Sequence, residues 1–255
     1  MMKNGSIIST GIEKLDRLLE GGIPPGFTTI IMGSPGGSTE ILIKQIAASD
    51  RVLYFTTDET KDEIIDAMKR FGWDTSNLEI VDISSRYYQN VLDGEEKRVS
   101  IYEQRSKLKL KELIEIGSTA TPSIASGGED YLAVLSNRTK DEGYTKIIIN
   151  SLDFFLSQYN QEDVLKTIYA AKISNLKNKG ALFIVMTKGI HGDLFEKKME
   201  SLADCVLELN VIQKGSVFER FLSVKKMRNY AKKIGIARYV IDDSGFVLEM
   251  IERIM

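Results

Sequence analysis

The fold is decided by a short stretch of the 255-residue sequence, TTIIMGSPGGSTE, at residues 28–40. Its first part, Thr28–Met32, is apolar and β-branched, which is typical of a buried strand. The residues that follow it, Ile41–Ala48, have the apolar spacing of an amphipathic helix. A glycine-rich loop between a strand and a helix is the setting in which backbone N–H groups bind phosphate, although an ordinary Gly/Ser turn fits the spacing equally well.

The loop departs from the phosphate-binding sequence G-x-x-x-x-G-K-[ST] at three positions. Ser38 stands at the second glycine, Thr39 at the lysine, and Glu40 at the hydroxyl residue that would hold magnesium. Two unit charges about 4 Å apart interact by ~4 kcal/mol at an effective dielectric of about 20, so Glu40 would weaken triphosphate binding by roughly three orders of magnitude. In the first helical turn the same carboxylate gains ~0.3–1 kcal/mol from the helix dipole. We therefore predict a loop that keeps its backbone shape without its phosphate chemistry. The residues of this degenerate loop are Gly33, Ser34, Pro35, Gly36, Gly37, Ser38, Thr39 and Glu40.

Outward from the loop, short apolar runs alternate with amphipathic stretches. Strands are predicted at 28–32, 51–55, 78–82, 146–150 and 181–186, and helices at 41–48, 61–71 and 161–177. Continuous apolar strands indicate burial on both faces, so the pattern predicts an α/β fold with a mostly parallel sheet flanked by helices. Runs at 205–211, 218–226 and 237–241, with turns at Lys214-Gly215 and Ser244-Gly245, predict antiparallel C-terminal strands that extend this sheet.

The middle of the chain is the least regular part of what we expect to be a single domain over residues 1–255. A charged helix is predicted at Glu95–Glu115, and runs of small residues follow at 118–123 and 126–128. Such runs favour loops. We interpret residues 84–128 as an irregular charged insertion, and a solvated surface excursion is its simplest explanation.

Composition excludes several classes of protein. The chain has one cysteine, Cys205, and one histidine, His191, so a disulfide scaffold and metal sites built from several such residues are excluded, and we expect no metal. We predict Cys205 to be a core residue and His191 to be an exposed loop residue. No apolar run approaches the ~20 residues of a membrane span, and the first residues are polar, so we expect a cytoplasmic protein with no membrane partner.

Six further segments carry a family resemblance. They are STGIEKLD at 9–16, GGIPPG at 21–26, YFTTDET at 54–60, RFGWD at 70–74, IIINSL at 147–152 and KKMR at 225–228. In this order and spacing they resemble the KaiC and RecA/RadA superfamily of P-loop ATPases, from about residue 9 to residue 249. The resemblance implies a RecA-like fold.

The resemblance also assigns roles to residues outside the loop. It implies that Asp58 and Glu59 would polarise the attacking water in an active relative, and that Asn150 replaces an aspartate of the magnesium shell. It implies that Lys226 and Arg228 would reach the nucleotide of a neighbouring subunit, whereas a charged strand face explains the same residues. Lys188, beyond the strand at 181–186, is a further candidate to replace the missing loop lysine.

Because the loop and Asn150 are altered together, we predict a pseudo-ATPase with a regulatory, signalling or assembly role through protein partners or homo-oligomers. No cofactor is expected, and any binding of ATP with magnesium would be weak. Asp58 and Glu59 would be catalytic only in an active domain. The assembly would be head to tail, with apolar contacts from Ile7 and Ile8.

Two alternatives remain open at this point. One is a weakly active ATP-binding subunit related to the RadA paralogues of DNA recombination and repair. The other is a nucleic-acid binder that uses a basic patch at residues 214–238, where eight basic residues accompany the single acid Glu219. Tyr230 and Tyr239 are interleaved with this patch and would be its base-stacking residues. The basic residues of the patch are Lys214, Arg220, Lys225, Lys226, Arg228, Lys232, Lys233 and Arg238.

Overall fold

The computed structural model describes residues 7–106, 129–230 and 235–249, and only the backbone of residues 95–106. In these residues one sheet contains nine strands: β1 (Thr28–Gly33), β2 (Val52–Thr56), β3 (Leu78–Asp82), β4 (Lys146–Asn150), β5 (Ala181–Thr187), β6 (Cys205–Lys214), β7 (Val217–Met227), β8 (Ile236–Asp242) and β9 (Gly245–Glu249). Their order across the sheet is β3-β2-β4-β5-β1-β6-β7-β8-β9. The first six strands in this order are parallel, and β7, β8 and β9 continue the sheet in antiparallel pairing. The predicted α/β fold with antiparallel C-terminal strands is confirmed.

Helices cover both faces of the sheet. They are α1 (Glu13–Leu18), α2 (Thr39–Ala47), α3 (Lys61–Arg70), α4 (Ile83–Ser106), α5 (Tyr131–Arg138), α6 (Leu152–Gln158), α7 (Gln161–Asn178) and α8 (Asp193–Leu202). One apolar core lies between the sheet and α1–α3, and a second lies between the sheet and α5–α8. Every residue of β1, β2 and β4 is buried, which is why these strands have continuous apolar sequences. Among the helices just given, none combines the length and hydropathy that crossing a bilayer requires.

Lys146 is the charged exception inside a central strand. Its side chain is fully buried, and its ammonium group donates to Ser49 Oγ at 2.5 Å and to the Ile46 carbonyl at 3.2 Å, while Asp50 lies 3.1 Å away. These acceptors lie at and just beyond the C-terminal end of α2. Lys146 therefore fastens that helix end to β4, because a buried cation is stable only when its hydrogen bonds are satisfied.

The structure differs from the prediction in the middle of the chain. Helix α4 begins at Ile83 and not at Glu95, because Asp82 accepts a hydrogen bond from the Ser85 N–H at 2.8 Å and so satisfies the first turn. The part of the proposed insertion at residues 107–128, with both runs of small residues, lies outside the described residues. That residues 84–128 form an insertion, and that the whole chain is one domain, stay predictions.

Candidate functional site: the glycine loop at the carboxyl edge of the sheet

Four predicted segments meet where the parallel strands end. The Thr57 N–H donates to the Asn150 carbonyl at 3.0 Å, which joins the ends of β2 and β4. The Lys188 N–H donates to the Gly33 carbonyl at 3.0 Å, which joins the ends of β5 and β1. This carboxyl edge, beside the point where the strand order reverses around β1, is where open α/β sheets bind ligands.

The backbone of the loop has two features that suit anion binding. Ser38 has φ 54° and ψ 39°, the left-handed conformation that glycine adopts most easily, at the position where the motif has its second glycine. Helix α2 starts at the next residue. In the described part of the chain, the N–H groups of Gly36, Ser38, Thr39 and Glu40 donate to no protein acceptor. These amides could bind an anion. That the loop keeps the backbone shape of a phosphate-binding loop stays a prediction.

Neighbouring strands hold the loop in place. The Tyr239 hydroxyl on β8 donates to the Gly37 carbonyl at 2.5 Å, and Arg220 Nε on β7 donates to the Gly36 carbonyl at 3.2 Å. Gly33 must lack a side chain, because a Cβ atom there would lie 2.0 Å from Thr39 Oγ1. The threonine at the lysine position thus packs back on the start of the loop.

The cleft between α2 and α3 beside the loop is acidic. Lys44 is buried on α2, and its ammonium group lies 2.6 Å from the Glu59 carboxylate at the end of β2. Sequence reasoning missed Lys44, whose only signal was a cation on the apolar side of a helix. The cleft has a volume of about 850 Å³, and its charged lining residues are Glu40, Lys44, Glu59, Glu63, Asp66, Arg70 and Asp243.

Asp58, next to Glu59, has a different environment. Burial raises the pKa of the Asp58 carboxyl, the hydrogen bond from the Thr57 hydroxyl lowers it in part, and the negative charge of Asp153 raises it further. Burial likewise raises the pKa of the Tyr54 hydroxyl, and the charge of Glu59 acts in the same direction. Asn150 is buried at the end of β4. The two predicted acids therefore differ: Glu59 is ion-paired, and Asp58 has no lysine or arginine partner among the described residues.

Lys188 is held by a strand on the far side of the loop. Its ammonium group lies 2.7 Å from Glu208 on β6, and Lys225 lies 2.9 Å from the same carboxylate. Burial alone would raise the pKa of Glu208, but hydrogen bonds from Lys188, Lys225 and Asn210 outweigh it and lower the pKa to about 2. The role of Lys188 as a substitute for the loop lysine stays a prediction.

Lys226 and Arg228 contact their own chain. The Lys226 ammonium group donates to the carbonyls of Glu200 and Ser201, each at 2.9 Å, at the C-terminal end of α8. Arg228 pairs with the buried Asp204 at 2.8 Å. These contacts give both residues a structural role within one chain, and their inter-subunit role stays a prediction.

The basic patch is largely neutralised where the structure describes it. Lys214 pairs with Glu219 at 2.6 Å, and Arg238 lies 3.4 Å from Glu249. Tyr239 is buried and its ring stacks on Phe246 at 4.2 Å between centroids, so it cannot stack on a base and that expectation is wrong. Lys232 and Lys233 lie outside the described residues.

His191 is not the exposed loop residue that the sequence predicted. Its side chain is only 10% exposed, and Nε2 lies 2.6 Å from the Asp153 carboxylate, which also accepts from the Thr187 hydroxyl at 2.7 Å. No sequence signal connects residues 38 positions apart. Cys205 is a core residue as predicted, and burial raises its pKa to about 12.

The sheet order and the loop at its carboxyl edge define an α/β domain with a RecA-like fold. The sequence matches the family model described as "ATPase: KaiC" over residues 8–253. The chain therefore belongs to the KaiC family of ATPases.

Three proteins illustrate the relationship. The circadian clock oscillator protein KaiC of Synechococcus elongatus is 23% identical over 248 residues, which cover 92% of this chain and 43% of KaiC. The DNA repair protein RadA of Escherichia coli is 33% identical over 81 residues, which cover 30% of this chain and 18% of RadA. The crystal structure of a KaiC-like protein from Pyrococcus horikoshii matches with a TM-score of 0.65 at 15% identity, covering 97% of this chain and 100% of that chain, which supports the fold.

Proposed function

We propose that this chain is a KaiC-family domain that does not hydrolyse ATP and acts by binding a protein partner or by assembling with further copies, in a regulatory or signalling role. The observation that carries the proposal is the charge around the loop. Glu40 stands in the first turn of α2, where a nucleotide-binding relative has a hydroxyl, and Glu59 is ion-paired with buried Lys44 at 2.6 Å.

The residues present do not fit a magnesium triphosphate. Thr39 offers no ammonium group, and its hydroxyl packs on Gly33. Glu40 repels phosphate, and the Asn150 amide carries no charge for a magnesium shell. Lys44 and Lys188 are each bound to a carboxylate, and the described cation that contacts the loop backbone is Arg220. One guanidinium group is a poor match for the charge of a triphosphate. The loop is better suited to a structural role than to phosphoryl transfer.

Thermal unfolding with ATP and magnesium tests the proposal. Ligand stabilisation follows RT ln(1 + [L]/Kd), so ~1 mM ATP contributes about 0.4 kcal/mol or less when Kd is ~1 mM or weaker. We expect no measurable rise in Tm and no phosphate release above a protein-free control. A saturable shift at micromolar ATP would overturn the proposal, and Arg220→Gln and Lys188→Gln would then identify the cation that binds it.

The alternative functions have less support. The RadA match covers 30% of this chain. DNA repair is part of the name of that protein, and no contact described in this chain supports it. The basic patch is mostly paired with acidic residues, which weakens the case for nucleic-acid binding. The clock role likewise belongs to KaiC by name, and the regulatory role proposed here rests on the loop charges and the family. The proposed setting is the cytoplasm, in line with a sequence whose single cysteine allows no internal disulfide.

A further inference from the structure

A second cleft opens on the other side of the same sheet edge. It has a volume of about 620 Å³ and lies between the end of β2, the first turns of α4, helix α6 and the loop that follows β5. This volume is within the range of about 300–1,000 Å³ that is usual for small-molecule sites. The lining residues that matter here are Asp58, Tyr87, Tyr88, Asp153, Phe154 and His191.

Three aromatic rings line this cleft in different planes. Tyr87 and Phe154 have ring centroids 5.1 Å apart at an interplanar angle of 82°, and Tyr87 and Tyr88 are 6.3 Å apart at 61°. Tyr131 and Phe155 pack against Phe154 from behind and fix its position. Tyr88 is 59% exposed. Non-parallel ring faces at the rim of a pocket are the surfaces over which organic cations bind.

The charge of the cleft is negative. Asp153 accepts from the Thr187 hydroxyl at 2.7 Å and lies 2.6 Å from His191 Nε2. Asp58 accepts from the Thr57 hydroxyl at 3.3 Å, and no described lysine or arginine pairs with it. Arg86, beside Tyr87 on α4, is bound to Glu129 at 3.0 Å. The cleft therefore disfavours phosphates and carboxylates and lacks a counter-ion for one carboxylate.

The residues that line this cleft are also unsuited to binding a metal ion. Across the described residues there is no group of three or more His, Cys, Asp or Glu that could hold one. Aromatic walls supply no oxygen ligands for a hard cation. We propose that this cleft binds a small organic cation, a compound with a quaternary or primary ammonium group, with the ammonium group on the Tyr87, Tyr88 and Phe154 rings and its charge facing Asp58.

Saturation-transfer NMR on the full chain tests this, with choline and with its uncharged analogue in which carbon replaces the nitrogen. Because the two probes have the same shape, the comparison isolates charge. We expect saturable choline binding with a Kd of roughly 1 mM and at least about tenfold weaker binding of the analogue. Equal binding of both probes, or no saturable choline signal, would overturn the proposal.

Variants assign the signal to the cleft. Asp58→Asn and Tyr88→Leu should each weaken choline binding by about fivefold or more. Asp66→Asn, in the acidic cleft beside α2, and Phe218→Leu, an exposed aromatic residue on β7, are the matched controls and should leave it unchanged. Choline binding that is insensitive to Asp58→Asn and Tyr88→Leu, in proteins with unchanged thermal unfolding, would equally reject the site. The proposal concerns a separate cleft, so an ATP-binding result leaves it standing.

Discussion

Ser38 stands at the position where the phosphate-binding motif has its second glycine. Its left-handed backbone, with φ 54°, is a conformation that glycine adopts readily and that serine adopts only with strain. A non-glycine residue in the left-handed region destabilises the folded state by roughly 1–2 kcal/mol. Glycine removes most of this strain, but part of the gain is offset because glycine gives the unfolded chain more conformational freedom.

We therefore expect Ser38→Gly to raise the free energy of unfolding by about 0.5–1 kcal/mol, as measured by urea denaturation. Ser34→Gly is the matched control, because Ser34 is not among the residues with positive φ. There glycine only adds freedom to the unfolded chain, and stability should fall by about 0.5 kcal/mol. A loss of stability in Ser38→Gly would contradict the reading of this backbone as strained.

Glu208 gives a pH dependence with a definite sign. Its folded pKa of about 2 lies below the ordinary value of 4.5, so the unfolded chain takes up the proton first as the pH falls. The stabilisation, of order 2–3 kcal/mol, is present above about pH 4.5 and is lost as the pH falls toward about 2.

Denaturation of Glu208→Gln across this range checks the prediction. The variant should be less stable than the parent at pH 7 and should lose less stability between about pH 4.5 and 2. Glu162→Gln, an exposed carboxylate at the start of α7, should follow the parent curve closely. If the parent and Glu208→Gln lost the same stability between about pH 4.5 and 2, the ion pairs of Glu208 would contribute nothing to the free energy of unfolding.

At the scale of elements, the sequence predicted the strands better than the helices. The strands at 78–82 and 146–150 were both placed to the residue, although β4 is buried throughout and only Val81 is buried in β3. The short helices α1, α5, α6 and α8 were not predicted, since six to ten residues show too few periods to be distinguished from loops. Asp82 is a residue type that commonly caps the N-terminus of a helix, so the sequence did indicate the start of α4, and the prediction overlooked it.

Of the candidate site, the sequence located the segments but could not locate their partners. The loop and the ends of β2, β4 and β5 follow from the order of strands and motifs along the chain. The Lys44–Glu59 pair, the Asp153–His191 contact and the two ion pairs of Glu208 depend on side chains from elements distant in sequence. No local periodicity reports such contacts, so they required the structure.

The loop and α2 can also be tested as one element. Ser38→Gly, Thr39→Lys and Glu40→Thr together restore the phosphate-binding sequence on a frame whose amides already lack protein acceptors. We expect the triple variant to bind ATP at least about tenfold more tightly than the parent by calorimetry, because it removes a repulsive carboxylate and adds a cation. Hydrolysis should still need Asn150→Asp to complete the magnesium shell.

Ser38→Gly alone is the control for this repair and should bind no more ATP than the parent, since it changes conformation without charge. If the triple variant binds no ATP, the acidic cleft beside α2 and α3, and not the loop sequence alone, excludes the nucleotide. Glu59→Gln added to the triple variant would then recover binding, because Lys44 would be released.

For the whole molecule, the distribution of charge matters more than the net charge of -2. Carboxylates concentrate in the cleft between α2 and α3, while the cations at the other end of the sheet, Lys226 and Arg228, are tied to α8 and Asp204. If Lys226 and Arg228 were to bind a neighbouring subunit, they would first have to give up these bonds within their own chain. Apolar contact must therefore supply most of any association energy, since exposed ion pairs contribute only about 0–1 kcal/mol each.

The proposed self-association thus depends on exposed apolar side chains. Ile8 is buried against Ile23 and is unavailable, which leaves Ile7 of the predicted pair. Helix α7 adds a stripe at helical spacing, Tyr169, Ile173 and Leu176, with each side chain more than half exposed.

We expect sedimentation at about 100 μM and low salt to show a species larger than a monomer, and Ile173→Glu to shift it toward monomer by placing a charge in that contact. Leu194→Glu, also more than half exposed but outside the stripe, is the control and should leave the distribution unchanged. A strict monomer under these conditions would refute assembly, and the partner of the domain would then have to be a different protein.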